Sequence, residues 1–192
     1  MVGHQSLHQK AGILHRDISM NNVLVNEEDT SPWPGFLIDL DLAIREDRLG
    51  LSGAHDKTGT KVFMSIRALL GQKHSFMDDL ESFFWVLFWI CIHYTGPNEP
   101  SRVVDAYEKW NYMPTDDLAL IKSGIISDEL DFLTRMFASV APYFQPLIPW
   151  INELRKIVFP SDKRWRGEDE GLYERMREVL REAMKDPKVQ AG

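Results

Sequence analysis

The chain of 192 residues predicts a mainly α fold, with short strands and a long loop first and helices after. Three observations carry this. Short β-branched and apolar runs, "ILH" and "NVLV", stand near the start. A stretch without periodicity covers 40–63. From residue 75 onward, segments with helical spacing follow one another, separated by Pro, Gly and acidic turns.

Taken in order, residues 4–11 read as the last turns of a helix closed by Gly12. "NEEDTSPWPG" (26–35) is a loop and "FLID" (36–39) a further strand, so 22–39 form a hairpin with a long connection. "SFMD" (75–78) has the Ser-x-x-Asp spacing of a capping box, which starts a helix near Phe76. That helix runs through "FFWVLFWICI" to about His93, apolar on every side and therefore buried. Helices are expected at 102–113, ended by Pro114, then over "DDLALIKSGII", "DELDFLTRMFASV", the segment after Pro149, and 169–186. Trp110, Trp150 and the aromatics of 132–147 read as core.

Composition bounds the rest. The chain is 44% hydrophobic and 27% charged, as globular proteins are. Its net charge of −7 argues against general nucleic-acid binding, which needs a basic face. The longest apolar run is far below the roughly 20 residues a bilayer requires, so no membrane partner is expected. No signal peptide is legible in "MVGHQSLHQKAG". One cysteine, Cys91, inside the apolar run, gives no disulfide framework and suggests an intracellular, cytoplasmic or nuclear setting. His4, His8, His55, His74 and His93 show no metal-ligand spacing.

The chemistry concentrates in "ILHRDISMNNVLVN" (13–26). Phosphoryl transfer needs a carboxylate to accept the proton of the attacking hydroxyl and a ligand for the metal on the phosphates. Asp17, five residues before Asn22 around a tight loop, supplies both: Asp17 as base, Asn22 as a Mg²⁺ ligand through its amide oxygen. A short strand then delivers Asp39 in "LIDLDLA" (37–43). "TGTKVFM" (58–64) carries Gly59-Thr60 before an aromatic and Met. "DDLESFFWVLFW" (78–89) places Asp79 at the start of the apolar helix, where a carboxylate is favoured by the helix dipole.

These motifs, in this order, resemble the C-terminal lobe of a eukaryotic-type protein kinase. "HRDISMNNVLV", "LIDLDLA", "GTKVFMS" and "DDLESFFWVLFWIC" are closer still to the fungal-type protein kinase family, and "DDLES" is also similar to casein kinases. The resemblance covers the chain up to about residue 167, with 168–192 a C-terminal helix and tail; it includes no N-lobe, neither Gly-rich loop nor phosphate-anchoring Lys. It implies ATP and two Mg²⁺ ions as cofactors and a protein Ser/Thr substrate. Asn22 and Asp39 would hold metal, and the Thr60 hydroxyl would bond Asp17. Asp79 would anchor the backbone of the His15-Arg16-Asp17 loop. Arg16 would pair with a phosphate on the activation segment, with Thr58 a candidate acceptor.

Three departures stand out. Ser19 replaces the usual Lys, which fits the fungal-type pattern but removes a charge near the transferred phosphate. Asp39-Leu40-Asp41 replaces Asp-Phe-Gly, restricting the backbone at Asp41. Ser65-Ile66-Arg67 replaces Ala-Pro-Glu; the Glu normally pairs with a buried Arg, matched here by Arg164, so two arginines would face each other unless the chain rearranges or Glu168 intervenes. A non-catalytic kinase-like scaffold binding a protein partner is therefore the alternative. A small-molecule phosphotransferase, which shares the Asp and Asn spacing, is weaker, since such enzymes carry His-Gly-Asp.

Overall fold

The computed structural model describes residues 1–26, 35–48, 59–97, 99 and 102–191. The described residues are mainly helical. The chain divides into two compact units, Met1–Val86 and Leu87–Gly192, the division falling inside one long helix.

In the first unit, α1 (Val2–Ala11) ends at Gly12, whose φ of 61° is the left-handed conformation that glycine adopts without cost. Its N–H closes the helix on the carbonyls of His8 and Leu7. β1 (Ile13–Leu14) follows at once. β2 (Val23–Val25) pairs antiparallel with β3 (Gly35–Leu37) in the register Val23↔Leu37, Leu24↔Phe36 and Val25↔Gly35; this is the expected hairpin, with its second strand at 35–37 rather than 36–39. Gly35 is required at this pairing: a β-carbon there would lie 2.9 Å from the Leu24 carbonyl oxygen.

Inside the stretch expected to be aperiodic, β4 (Ile44–Arg45) pairs antiparallel with β1 as Ile13↔Arg45 and Leu14↔Ile44. Two-residue strands have no periodicity to read. A short α2 (Ile66–Leu69) is capped by Ser65, whose Oγ accepts the Ala68 N–H at 2.9 Å.

α3 (Phe76–His93) starts as the capping box predicts. Asp78 Oδ2 accepts the Ser75 N–H at 2.9 Å, and Ser75 Oγ accepts from Met77 at 3.3 Å. Phe84, Trp85, Phe88 and Cys91 are all buried, so this helix is core rather than span. Among the described residues no helix is long and apolar enough to cross a membrane.

The second unit stacks helices. The segment 102–113 forms only α4 (Asp105–Glu108) and a 3-10 turn, Lys109–Asn111, shorter than its sequence suggested. α5 (Thr115–Ile126), α6 (Glu129–Ser139), α7 (Ile148–Val158), α8 (Leu172–Lys185) and α9 (Pro187–Gln190) follow. Asp128 caps α6 by accepting the Asp131 N–H at 2.9 Å. Trp110 packs flat on Phe88, with ring centroids 5.9 Å apart. Phe132 is buried, but Phe137 is 60% exposed and Tyr143 partly so, which corrects the reading of all these aromatics as core. Trp150 is half-buried and donates to Asp186 at 3.0 Å.

Candidate functional site

The loop between β1 and β2 carries His15, Arg16, Asp17 and Asn22. It is held at both ends by strand pairing and in the middle by buried side chains. His15 is fully buried, its Nε2 3.1 Å from the Ile38 carbonyl oxygen. That contact fixes the proton on Nε2 and leaves Nδ1 to accept the Asp17 N–H at 3.4 Å. Arg16 has a φ of 68°, unusual for a residue with a β-carbon. Such a conformation persists where the surroundings over-determine it.

The surroundings do so here through Asp79, buried in the first turn of α3. Its Oδ2 accepts the His15 N–H at 2.9 Å and bonds His4 Nε2 at 2.8 Å. Its Oδ1 accepts the Arg16 N–H at 3.0 Å and bonds His74 Nε2 at 2.9 Å. Burial alone would raise the pKa of this carboxyl. The positive charge of His74 and the hydrogen bonds from His4 and His74 outweigh it and hold Asp79 well below the usual carboxylate range. His74 is raised in turn: burial opposes its charge, and the attraction of Asp79 wins.

Asp17 is bonded on both oxygens. Oδ1 accepts the Thr60 N–H at 2.7 Å and the Thr60 hydroxyl at 2.9 Å. Oδ2 accepts from Asn22 Nδ2 at 3.1 Å, and the same nitrogen donates to the Asp17 carbonyl at 2.9 Å. So the segment 59–60 docks on the loop at the carboxylate. Gly59 makes this possible with a φ of 107° and no side chain.

Asn22 also accepts, through its backbone carbonyl, the Ile38 N–H at 3.0 Å. Ile38 is thus tied to Asn22 by its N–H and to His15 by its carbonyl, and it delivers Asp39 next in the chain. The left-handed residue of Asp39-Leu40-Asp41 is Asp39, with φ 61°, and not Asp41, where the lost Gly suggested a restriction. The Asp41 N–H folds back onto Asp39 Oδ1 at 3.2 Å, an Asx turn that suits a left-handed Asp.

The donor set fits a hard divalent ion. Asn22 commits its Nδ2 to Asp17 and keeps its amide oxygen as the acceptor end, while Asp39 is an exposed carboxylate. Among the described residues no group of three or more His, Cys, Asp or Glu could hold a metal. Ser19, in the place of the usual Lys, is buried and brings no charge.

Behind the site, Asp78 and Glu81 of α3 hold the segment 65–67. Asp78 Oδ1 accepts from Ser65 Oγ at 2.5 Å, and Glu81 Oε1 accepts the Ile66 N–H at 2.7 Å and Trp85 Nε1 at 3.0 Å. Burial raises Asp78, against the charge of His74 and the bond from Ser65. Arg67 Nε lies 4.0 Å from Asp78 Oδ1, an acidic neighbour within its own unit. Arg164 is not the buried arginine; it is exposed. Arg155 of α7 is fully buried, bonded to the Ile126 carbonyl at 2.8 Å and to Asp162 at 2.5 Å.

Thr58 and His55 lie outside the described residues. His15, Asp17, Asn22 and Thr60 are brought together, with Arg16 and Asp79 holding the loop. Sequence reasoning missed His4 and His74. Metal-ligand spacing was the wrong test for them; their partner is a carboxylate far along the chain.

A family model described as fungal protein kinase matches residues 1–91. No curated protein matches the chain.

Proposed function

We propose that the chain, whose residues 1–91 match the fungal protein kinase family model, carries the catalytic loop and substrate-docking segment of an ATP-dependent Ser/Thr protein kinase. The observation that supports it most is the state of Asp17. Its carboxylate is held by Asn22 on one oxygen and by Thr60 on the other. A base for a substrate hydroxyl must be aimed within hydrogen-bond reach of the incoming oxygen, and these bonds fix its rotamer before substrate arrives.

Asn22 and Asp39 would hold Mg²⁺ on the nucleotide's phosphates, where the ion supplies neutralisation of charge on the transferring group. Asp17 accepts the proton of the substrate Ser or Thr. Thr60 positions Asp17 and borders the place where that substrate's backbone docks. Asp79 keeps the loop at its strained conformation through its two backbone bonds. Arg16 would receive a phosphate on the activation segment, and Thr58 is the acceptor proposed for that phosphate.

The test is phosphate transfer from radiolabelled ATP to Ser or Thr peptides, with the chain joined in one polypeptide behind an N-terminal kinase lobe. Asp17→Asn lowers the rate by about 10²–10⁴-fold, the usual range for a positioned base. Undiminished turnover in that variant sinks the assignment. A tyrosine-only product sinks the Ser/Thr part of it.

A further inference from the structure

We propose that His74 is a positioning residue: through the Asp79 carboxylate it sets the geometry of the catalytic loop, and it makes that geometry depend on pH. The link to turnover rests on the kinase reading above; the rest stands on the hydrogen bonds themselves.

Each oxygen of Asp79 takes one loop amide and one imidazole. Oδ2 is shared by the His15 N–H and His4, and Oδ1 by the Arg16 N–H and His74. Four donors fill the capacity of a carboxylate, so each ring fixes the direction left for the amide beside it. The two rings are not equivalent. His4 comes from α1, is fully buried, and sits edge-on to Phe83 at 5.9 Å. His74 comes from the irregular segment between α2 and α3, and its side chain is 14% exposed. It shares its oxygen with Arg16, the left-handed residue directly before Asp17. Of the two, His74 is the ring that solvent can reach, and it acts on the residue whose conformation is costly.

The charges that face His74 are few. Asp79 and Asp78 of α3 favour its cation, and Arg16 of the loop opposes it. Arg67 of α2 stands beside Asp78 at 4.0 Å, and His4 lies across the Asp79 carboxylate. Two carboxylates against one loop guanidinium hold the His74 proton to higher pH than a free imidazole keeps it. When the proton leaves, the neutral ring still donates through Nε2 to the carboxylate, but the donor has lost its charge and the bond weakens. Asp79 then lacks the cation that offset its buried charge, and the loop relaxes. The effect falls on the alkaline side, because His74 is raised rather than lowered.

The experiment is a pH titration of the intact chain followed by nuclear magnetic resonance, reading the His74 ring and the backbone amides of His15 and Arg16. The Arg16 amide proton shifts in step with His74, with the same midpoint. His74→Gln, whose side-chain amide donates without a charge, keeps the downfield position of that amide and abolishes the step. A second arm measures phosphate transfer in the kinase joined to its N-terminal lobe. There kcat falls on the order of tenfold through the His74 midpoint with peptide KM unchanged, and the Gln variant is flat over that range.

An Arg16 amide that ignores the titration of His74, or a step that survives in the Gln variant, overturns the proposal. If the amide follows His74 but no phosphate transfer occurs at any pH, the kinase reading fails and the positioning role stands. If transfer occurs while the amide does not respond, the reverse holds.

Discussion

A β-carbon at Gly59 would lie 2.6 Å from the carbonyl oxygen of Arg16. The backbone of the docking segment therefore touches the backbone of the catalytic loop, one residue from Asp17 and one from Thr60. Two independent reasons demand glycine, the contact and the φ of 107°. Gly59→Ala must push the two segments apart or strain both, at a cost of about 1–3 kcal/mol. Denaturant unfolding will show that loss, and phosphate transfer will fall with it, because the two bonds from Thr60 to Asp17 lengthen. Gly3, in the first turn of α1 with open space around its α-carbon, is the control. Gly3→Ala changes stability by less than about 0.5 kcal/mol in either direction.

Asp79→Asn tests the anchor. The amide cannot accept four donors, and one of its own N–H groups would face an N–H of the loop. Breaking a buried, fully paired charge costs about 3–5 kcal/mol. The expected outcome is a large drop in the denaturation midpoint and loss of the protected amides of His15 and Arg16 in hydrogen exchange. A variant as stable as the parent would mean that Asp79 does not hold the loop.

The same cluster predicts a stability profile. Asp79 is depressed in the folded chain, so its contribution is present above the unfolded carboxylate value of about 3.9 and is lost as pH falls through the lower folded value. His74 is raised, so its contribution is complete below the unfolded imidazole value of about 6.5 and is lost as pH rises through the higher folded value. The pair thus contributes fully between about pH 4 and 6.5. Thermal unfolding across pH will show this plateau, and His74→Gln will remove its alkaline shoulder and shrink the acid limb, since the His74 charge is the largest of the causes that hold Asp79 low.

In the second unit, Arg155 holds the Ile126 carbonyl, Asn152 Oδ1 at 3.0 Å, and Asp162, with its guanidinium 5.2 Å from the Phe132 ring. Arg155→Met leaves buried acceptors without donors and costs about 3 kcal/mol. Arg164→Met, at an exposed position, changes stability by less than about 0.5 kcal/mol. The two variants, compared by chemical denaturation, separate the structural arginine from the one that motif spacing pointed to.

How far the sequence could be read depends on the range of the interactions involved. The Ser75 and Asp78 cap, the stop at Gly12 and the 23–25 with 35–37 hairpin are local, and local chemistry is written in adjacent residues. Asp17, Asn22, Thr60 and Asp79 were legible because their types and order carry a known phosphoryl-transfer pattern. The His4 and His74 contacts to Asp79 were not, since a ring on α1 and a ring before α3 share no spacing rule. Arg155 was hidden for a similar reason. It lies in an amphipathic helix where an arginine reads as surface, and only its burial against Ile126 reveals it. The strand Ile44–Arg45 escaped because its two residues gain their conformation from β1 rather than from propensity.

The two small sheets have a mechanical consequence. β1 leads through the loop 15–22 into β2; β2 is paired to β3; β3 leads through 38–43 into β4; and β4 is paired back to β1. The backbone therefore forms a closed circuit, with Asp17 on one arc and Asp39 on the other, and the Asn22–Ile38 bond as a brace beside the second sheet. Neither arc can be displaced alone. A load placed on either arc is borne in part by the other, so Asp17 and Asp39, the proton acceptor and ion ligand of the proposed reading, would share one frame and come into register as a single piece.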